Sequence, residues 1–292
     1  LLSLLTFLSF YFFNLKPALA SLTGIQALEY LQRGEIKEAN QKFKDAYNLG
    51  TFGLPEITAR AQDAALQVLN RAGSAENLKP EEKELVSVAV EGLKKALKLE
   101  PQNVRLMMML GNVYLAAMSQ NQSYLLEADL LLQKALELSP TRQEIYFALG
   151  QVRLYQGRNE ESLELFQRAI DLNDKVAVSH WNFGILNISL GQKDKGEEEL
   201  KKAISLGHSY KGEDIQQIIK AYGRIEDWQK IASLYQEWID LEPENIHPYV
   251  GLATVYKQLG DKQQAKVWAE KAAQVDSQYK AALEQFIKEL GI

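Results

Sequence analysis

The chain has 292 residues, of which 46% are hydrophobic and 24% charged, a composition typical of a folded protein rather than a disordered one. Its formal net charge of −5 argues against the strongly basic surface that nucleic-acid binding requires. Because the chain has no cysteine, disulfides, thiolate metal sites and thiol catalysis are excluded.

The first segment is apolar and rich in aromatic residues. Nothing is charged before Lys16, and the aromatic residues 11–13 precede it. Aromatic and basic residues in this order are typical of the point where a membrane helix leaves the bilayer. We therefore expect residues 1–16 to be the end of a transmembrane helix that Pro17 terminates. Since a single lysine is not the basic cluster of a cytoplasmic flank, the rest of the chain is expected to be extracytoplasmic.

Two other interpretations of this segment stay open. Ala18-Leu19-Ala20 fits the cleavage pattern of a secretory signal peptide, in which residues 1–13 would form the apolar core. Alternatively, the segment is a buried helix of the folded domain. The transmembrane and signal-peptide interpretations both place the rest of the chain at or beyond a membrane.

Residues 17–101 form the next predicted region. Within residues 20–53, small and aromatic residues stand at spacings that reappear later in the chain: Ala27, Tyr30, Gly34, Ala39, Phe43 and Ala46. A divergent stretch follows, in which apolar residues recur with helical spacing. It predicts helices at about 55–72 and 80–98, which would form a second hairpin.

From about residue 104 the chain repeats itself every 34 residues. Small residues recur at this interval in three series: Gly150 and Gly184; Gly157 and Gly191; Ala135, Ala169 and Ala203. A fixed period of this size indicates stacked helical hairpins, each too small to bury its own apolar face. We predict five such hairpins over residues 102–278 and a capping helix over residues 279–292.

The most regular repeat covers residues 143–174. Apolar residues precede a turn at Gly157 and recur with helical spacing after it. We predict that Gly150 and Ser162 are small because the two helices cross there, and that Phe166 fills the space between hairpins.

Two repeats depart from this pattern. One has five extra residues around 119–125, which lengthen its turn. In the repeat at about 211–243, Ile219, Ile231 and Trp238 stand where small residues are usual. Bulk at helix crossings predicts a hairpin whose helices are splayed apart.

These units resemble the tetratricopeptide repeat, which combines Leu-Gly, Tyr, Ala, a large apolar residue, Ala and Pro at a period of about 34 residues. The resemblance covers residues 20–290. It implies an all-α fold, a solenoid of helical hairpins wound into a right-handed superhelix. It also implies a protein that works by holding a protein or peptide partner.

A second resemblance concerns the junction at the N-terminus. The aromatic residues 11–13, with Lys16 and Pro17, run into a repeat that reads Phe43-Lys44-Asp45-Ala46-Tyr47-Asn48. This is similar to the junction between the last membrane helix and the tetratricopeptide tail of bacterial O-antigen ligase-like membrane proteins. Such proteins transfer lipid-linked glycans through residues upstream of the tail, so the resemblance implies no catalytic residue in this chain.

The sequence contains no catalytic, cofactor or metal motif that we recognise. It has no phosphate-binding P-loop, no dinucleotide-binding glycine motif and no His-Glu-x-x-His pair. His180, His208 and His247 lie in different repeats without ligand partners at helical spacing, so we interpret them as packing or capping groups. We therefore expect no enzyme activity from this chain, no cofactor and no metal.

The candidate binding surface is the concave groove that the first helices of successive hairpins line in this fold. Steps of 34 residues, corrected for the insertion, place its residues in three rows: Met108, Phe147 and Trp181; Asn112, Gln151 and Ile185; Leu115, Leu154 and Ile188. An apolar groove with two amides suits an extended peptide or an amphipathic helix, because amides can bind a main chain. The alternative is that these side chains only pack between hairpins.

We expect a membrane-tethered scaffold that mediates protein–protein interaction through this groove. One alternative is the non-catalytic C-terminal tail of a glycan-transfer membrane protein of the O-antigen ligase or polymerase kind. Another is a secreted binding protein released by cleavage after Ala20. In none of these functions is nucleic acid a partner.

Overall fold

The structure is a computed structural model that describes residues 7–73 and 75–291. Over these residues the fold is all-α and contains no strand. The chain divides into two compact units, residues 1–168 and 169–292.

The helices of the first unit follow one another through short turns. They are α1 (Lys16–Gln32), α2 (Ile36–Leu49), α3 (Leu54–Ala72), α4 (Pro80–Leu99), α5 (Val104–Ala116), α6 (Ser123–Leu138) and α7 (Gln143–Tyr155). The next helix, α8 (Asn159–Leu172), includes the boundary between the units. The divergent stretch thus forms helices α3 and α4, whose bounds lie within one residue of those predicted.

Neighbouring helices of the first unit pack as stacked hairpins. Helices α1 and α2, α3 and α4, and α5 and α6 form pairs. First helices of successive pairs contact each other, and each second helix contacts the first helix of the next pair. Large residues from several hairpins are fully buried in one shared core, among them Phe43, Leu85, Leu93 and Leu132. Each hairpin therefore buries its apolar face on its neighbours.

The second unit is also built from helical hairpins. Its helices are α9 (Ala177–Ser189), α10 (Lys193–Ser205), α11 (Gly212–Gly223), α12 (Trp228–Leu241), α13 (Ile246–Gln258), α14 (Lys262–Val275) and α15 (Lys280–Glu289). Helices α9 and α10, α11 and α12, and α13 and α14 pair, and α15 packs on α14. Helix α15 lies within the range predicted for the capping helix, and its Leu283 is buried.

Small residues allow the paired helices to approach closely. The Ser162 hydroxyl donates a 2.7 Å hydrogen bond to the Gly150 carbonyl oxygen, which confirms the predicted crossing of α7 and α8. In the second unit, a Cβ atom added at Gly184 would lie 2.9 Å from the carbonyl oxygen of Gly196. At the Gly184 crossing, backbone therefore lies against backbone, whereas at Gly150 the Phe166 side chain packs against the glycine.

In the repeat with bulky residues, a glycine makes room for a large side chain, so the two helices still pack as a hairpin. Trp238 of α12 packs directly over Gly212, at the start of α11, where a Cβ atom would overlap the indole. The carboxylate of Glu242 accepts hydrogen bonds from Trp238 Nε1 at 2.8 Å and from the Gly212 amide at 3.1 Å. Helices α11 and α12 nevertheless pack less extensively than α9 and α10. The glycine that accommodates the tryptophan was not identified from the sequence.

The prediction that Pro17 ends a helix is wrong. Residues 7–10 are helical, residues Tyr11–Leu15 form a π-helical turn, and α1 continues from Lys16. The Lys16 amide donates to the Tyr11 carbonyl, five residues back. Because this wider turn changes the hydrogen-bond register just before the proline, the helix continues past a residue that has no N–H.

The expected transmembrane helix is not found in the part of the chain that the structure describes. No helix there is both long enough and apolar enough to cross a bilayer. Residues 1–6 of the predicted segment lie outside the described residues.

Substitution of Gly184 by alanine should destabilise the protein, because the new methyl group would lie 2.9 Å from the Gly196 carbonyl oxygen, a backbone atom that cannot move aside as the Leu200 side chain can. We expect a loss of about 1–3 kcal/mol in the free energy of unfolding, although alanine favours an isolated helix by about 1 kcal/mol. Thermal denaturation followed by circular dichroism measures it.

The matched control is Gly223→Ala, at the end of α11, where an added Cβ atom meets nothing within 4 Å. This variant should melt at the wild-type temperature or above it. Equal melting temperatures for Gly184→Ala and wild type would show that the two helices are not held at backbone contact.

Candidate functional site

Most of the predicted groove residues lie in the first unit, on two neighbouring first helices, α5 and α7. Helices α5 and α7 contact each other. Met108, Phe147, Gln151 and Leu154 are half-buried, and Asn112 is exposed. We refer to these five residues as the inner patch. They combine apolar surface with two amide groups, all of it open to solvent at least in part.

The two amides of the inner patch are free to bind a ligand. Within residues 7–73 and 75–291, neither the Asn112 nor the Gln151 side chain has a hydrogen-bond partner. Each amide can donate two hydrogen bonds and accept two. Beside them, the Phe147 ring is steadied by Phe166, with 5.3 Å between ring centroids. The patch therefore offers amide groups that have no protein partner next to an aromatic ring.

Other residues of the predicted rows are buried. Leu115 lies in the core of the first unit, and Trp181 and Ile188 lie in the core of the second. Trp181 Nε1 donates to Gln217 Oε1 at 3.1 Å, and its ring stacks on His208 at 4.2 Å between centroids. These three residues therefore fit the alternative interpretation, in which the side chains only pack between hairpins.

Ile185 is half-buried and packs against the core of the second unit. A step of 34 residues identifies the helix face on which a residue lies, but it does not say how deep the neighbouring side chains cover it. Trp181 and Phe147 occupy equivalent positions in the repeat, yet Trp181 is buried and Phe147 is half-buried.

A buried ion pair fixes the orientation of α7 behind the inner patch. Arg153 Nη1 contacts Asp129 Oδ2 of α6 at 2.6 Å, and Gln156 Nε2 donates to the same oxygen at 2.9 Å. Burial alone would raise the pKa of Asp129, but hydrogen bonds from Arg153, Gln156 and Gln133 outweigh it and hold the pKa below its ordinary value. Asp129 is therefore ionised and anchors α7.

This pair was not predicted, although the sequence contains a signal for it. Arg153 stands at the repeat position that Tyr114 occupies one unit earlier, allowing for the five-residue insertion. A charged residue at a position that is buried in the neighbouring repeat implies a buried partner. The partner itself, Asp129, lies 24 residues away on another helix, so spacing alone does not reveal it.

Two of the histidines take part in packing. His180 Nδ1 lies 2.6 Å from Glu199 Oε2, and its Nε2 lies 2.8 Å from the Asp174 carbonyl oxygen, which ties α9 to α10. His208 stacks on Trp181. Among the residues that the structure describes, no group of three His, Asp or Glu side chains is placed to hold a metal ion.

Comparison with known families identifies two segments. Residues 143–176 and residues 246–279 each match a model of the tetratricopeptide repeat. They correspond to α7 with α8 and to α13 with α14.

Among curated proteins, human protein O-mannosyl-transferase TMTC3 is 22% identical over 218 residues, which are 74% of this chain and 23% of that protein. BBSome complex member BBS4 from Bos taurus is 27% identical over 137 residues, 46% of this chain and 26% of that protein. The chain thus matches about a quarter of the length of these relatives.

A tetratricopeptide repeat protein from Parabacteroides merdae has a similar crystal structure. It aligns with 94% of this chain and 99% of its own, with a TM-score of 0.58 and 14% sequence identity. At this identity the likeness concerns the fold alone.

Replacing Arg153 by methionine should destabilise the protein by about 3–5 kcal/mol near neutral pH, because Asp129 stays buried without its cation. In wild type, the lowered pKa of Asp129 contributes stability above the ordinary pKa of aspartate, and this contribution is lost as pH falls through the lowered value. The difference between variant and wild type should therefore narrow on acidification. Urea denaturation at about pH 7 and about pH 3, below the ordinary pKa of aspartate, measures it.

Arg142→Met is the control, since Arg142 and its partner Glu144 are both exposed. Its effect should stay below about 1 kcal/mol. If Arg153→Met lost no more stability than Arg142→Met, the ion pair would not hold α7 in place.

Proposed function

We propose that this chain, a tetratricopeptide repeat protein, holds an extended segment of a protein partner on the inner patch of its first unit. Proteins built from this repeat are generally scaffolds for protein–protein interaction. The family matches confirm the repeat type that the sequence predicted. The site and the kind of ligand are the proposal.

The observation that supports it is the pair of free amides beside half-buried apolar side chains. An extended peptide has main-chain N–H and C=O groups available along its length, whereas a helix has already bonded them internally. Asn112 and Gln151 therefore favour an extended ligand over a helical one. Met108 and Phe147 would contact its side chains, and the flexible Met108 adapts to different shapes.

A peptide library selected against the full chain tests this proposal. We expect the selected peptides to bind wild type, and Asn112→Ala combined with Gln151→Ala to weaken binding about tenfold, since two main-chain contacts are lost. Phe147→Ala should cost about 1–3 kcal/mol of binding free energy. Isothermal calorimetry gives both values, and circular dichroism shows that the variants stay helical.

Glu164→Ala, at an exposed position on α8, serves as the control and should bind like wild type. If the amide and Phe147 variants bound the selected peptides as tightly as this control, the ligand would lie elsewhere.

We also propose that the N-terminal segment attaches the scaffold to a membrane. None of residues 7–15 is buried, and none is charged. Apolar side chains on successive positions face every side of a helix. A protein partner covers one side, whereas lipid surrounds all of them. Lys16, whose Nζ lies 5.5 Å from the Phe12 ring centroid, would mark the lipid boundary.

Flotation of the full chain with phosphatidylcholine vesicles tests this attachment. Phe13, with 68% of its surface exposed, is replaced by aspartate and compared with Phe52→Asp, where 70% is exposed in the turn before α3. We expect wild type and Phe52→Asp to float, and Phe13→Asp to lose vesicle binding about tenfold, because a charge is costly in lipid. Flotation that is absent in wild type, or lost equally in both variants, would contradict the proposal.

A second candidate is the non-catalytic tail of a membrane protein that transfers glycans. It is supported by the match to a part of human protein O-mannosyl-transferase TMTC3, together with the resemblance to O-antigen ligase-like proteins. In this function the inner patch would hold an acceptor polypeptide close to the transferase. The gene sequence upstream of Leu1 tests it: about a dozen hydrophobic segments of membrane-helix length would support this candidate.

A further inference from the structure

Helix α6 leaves large apolar side chains uncovered on its outer side. Leu126 and Leu130, one turn apart, are 60% and 61% exposed, and Leu138, two turns further on, is 42% exposed. A single exposed leucine is ordinary on a protein surface. Several on one face of one helix form a patch of the kind that marks a contact with another molecule.

A shallow depression lies beside these leucines. Its volume is about 330 Å³, and its floor is made by Leu110 and Tyr114 of α5. The remaining lining comes from α6: Glu127, Leu130, Leu131 and Lys134. The surface thus has both a projecting leucine and a hollow with apolar walls.

Two of the charges on this face, Glu127 and Lys134, lie on either side of its middle, and Glu127 also contacts Lys94 of α4 at 3.2 Å. Glu127 and Lys134 lie seven residues apart, which is about two helical turns, and the leucines 130 and 131 lie midway between them. Hydrogen bonds from Tyr114, Ser123 and Lys94 lower the pKa of Glu127, so it is ionised. Lys134 has no ion-pair partner among the described residues.

We propose that the outer face of α6 binds the same face of a second copy of this chain, with the two helices antiparallel. A two-fold axis between Leu130 and Leu131 brings Glu127 of each copy next to Lys134 of the other. The projecting Leu130 of each copy then enters the hollow of the other. A parallel pair would oppose glutamate to glutamate and lysine to lysine, so the charge order selects the antiparallel pair.

The dimer should be weak and reversible. Helix α6 has 16 residues and is about 24 Å long, so one helix pair covers less than the roughly 800 Å² per partner of a standard interface. We expect dissociation in about the micromolar range. The rim charges set the orientation and the salt dependence more than the affinity.

Sedimentation equilibrium of the full chain tests the dimer. Wild type should show a monomer–dimer equilibrium, and Leu130→Glu should raise the dissociation constant about tenfold or more, because it places a charge in the hollow. Leu241→Glu, at a 51% exposed position on α12, is the matched control and should associate like wild type. A monomeric wild type, or association that Leu130→Glu leaves unchanged, would overturn the proposal; the second result would assign the association to another surface, such as the N-terminal segment.

Single cysteines test the orientation, since the natural chain has none. In the antiparallel pair the two copies of residue 130 lie next to the axis, whereas those of residue 138 are about 22 Å apart along it. Mild oxidation should therefore cross-link Leu130→Cys and leave Leu138→Cys unlinked, because a disulfide needs Cα atoms within about 7 Å. Cross-linking of both variants, or of neither, would overturn the antiparallel arrangement.

Discussion

Close approach of paired helices is the constraint on which each unit depends. A hairpin of two short helices has too little apolar surface to fold alone, so it must pack on both of its neighbours. That packing requires the two helices of a pair to lie almost in backbone contact, as at Gly184 and Gly196. When the helices of each pair cross this closely, successive hairpins stack in the same orientation. In the first unit, the first helices of successive pairs then lie side by side.

Buried polar contacts add orientation to this packing. Apolar contacts alone tolerate some rotation of a helix, whereas a hydrogen-bonded ion pair accepts few arrangements, since an unpaired charge in the core is costly. Arg153 and Asp129 fix α7 against α6, and His180 and Glu199 fix α9 against α10. Arg153 thus ties α7, the helix that carries Phe147 and Gln151, to α6. The proposed binding surface therefore also depends on buried groups outside the inner patch.

The sequence predicts the hairpins well because their period and small residues reflect local geometry. The crossing of Gly150 with Ser162 and the bounds of α3 and α4 follow from spacing alone. Other features depend on distant partners. Trp238 fits its hairpin only because Gly212 lies opposite, and Trp181 is covered by His208, which a repeat count does not show. Pro17 was expected to end a helix, but the π-helical turn before it lets the helix continue.

The inner patch is the part of the molecule where fold and proposed function meet, and the state of its amides tests it most directly. In an NMR titration of the ¹⁵N-labelled chain with a binding peptide, the side-chain amide signals of Asn112 and Gln151 should shift together and saturate at one dissociation constant. The amide of Gln133, which is bonded to Asp129, should not move. If peptide binding shifted other signals and left those of Asn112 and Gln151 in place, the proposed site would be wrong.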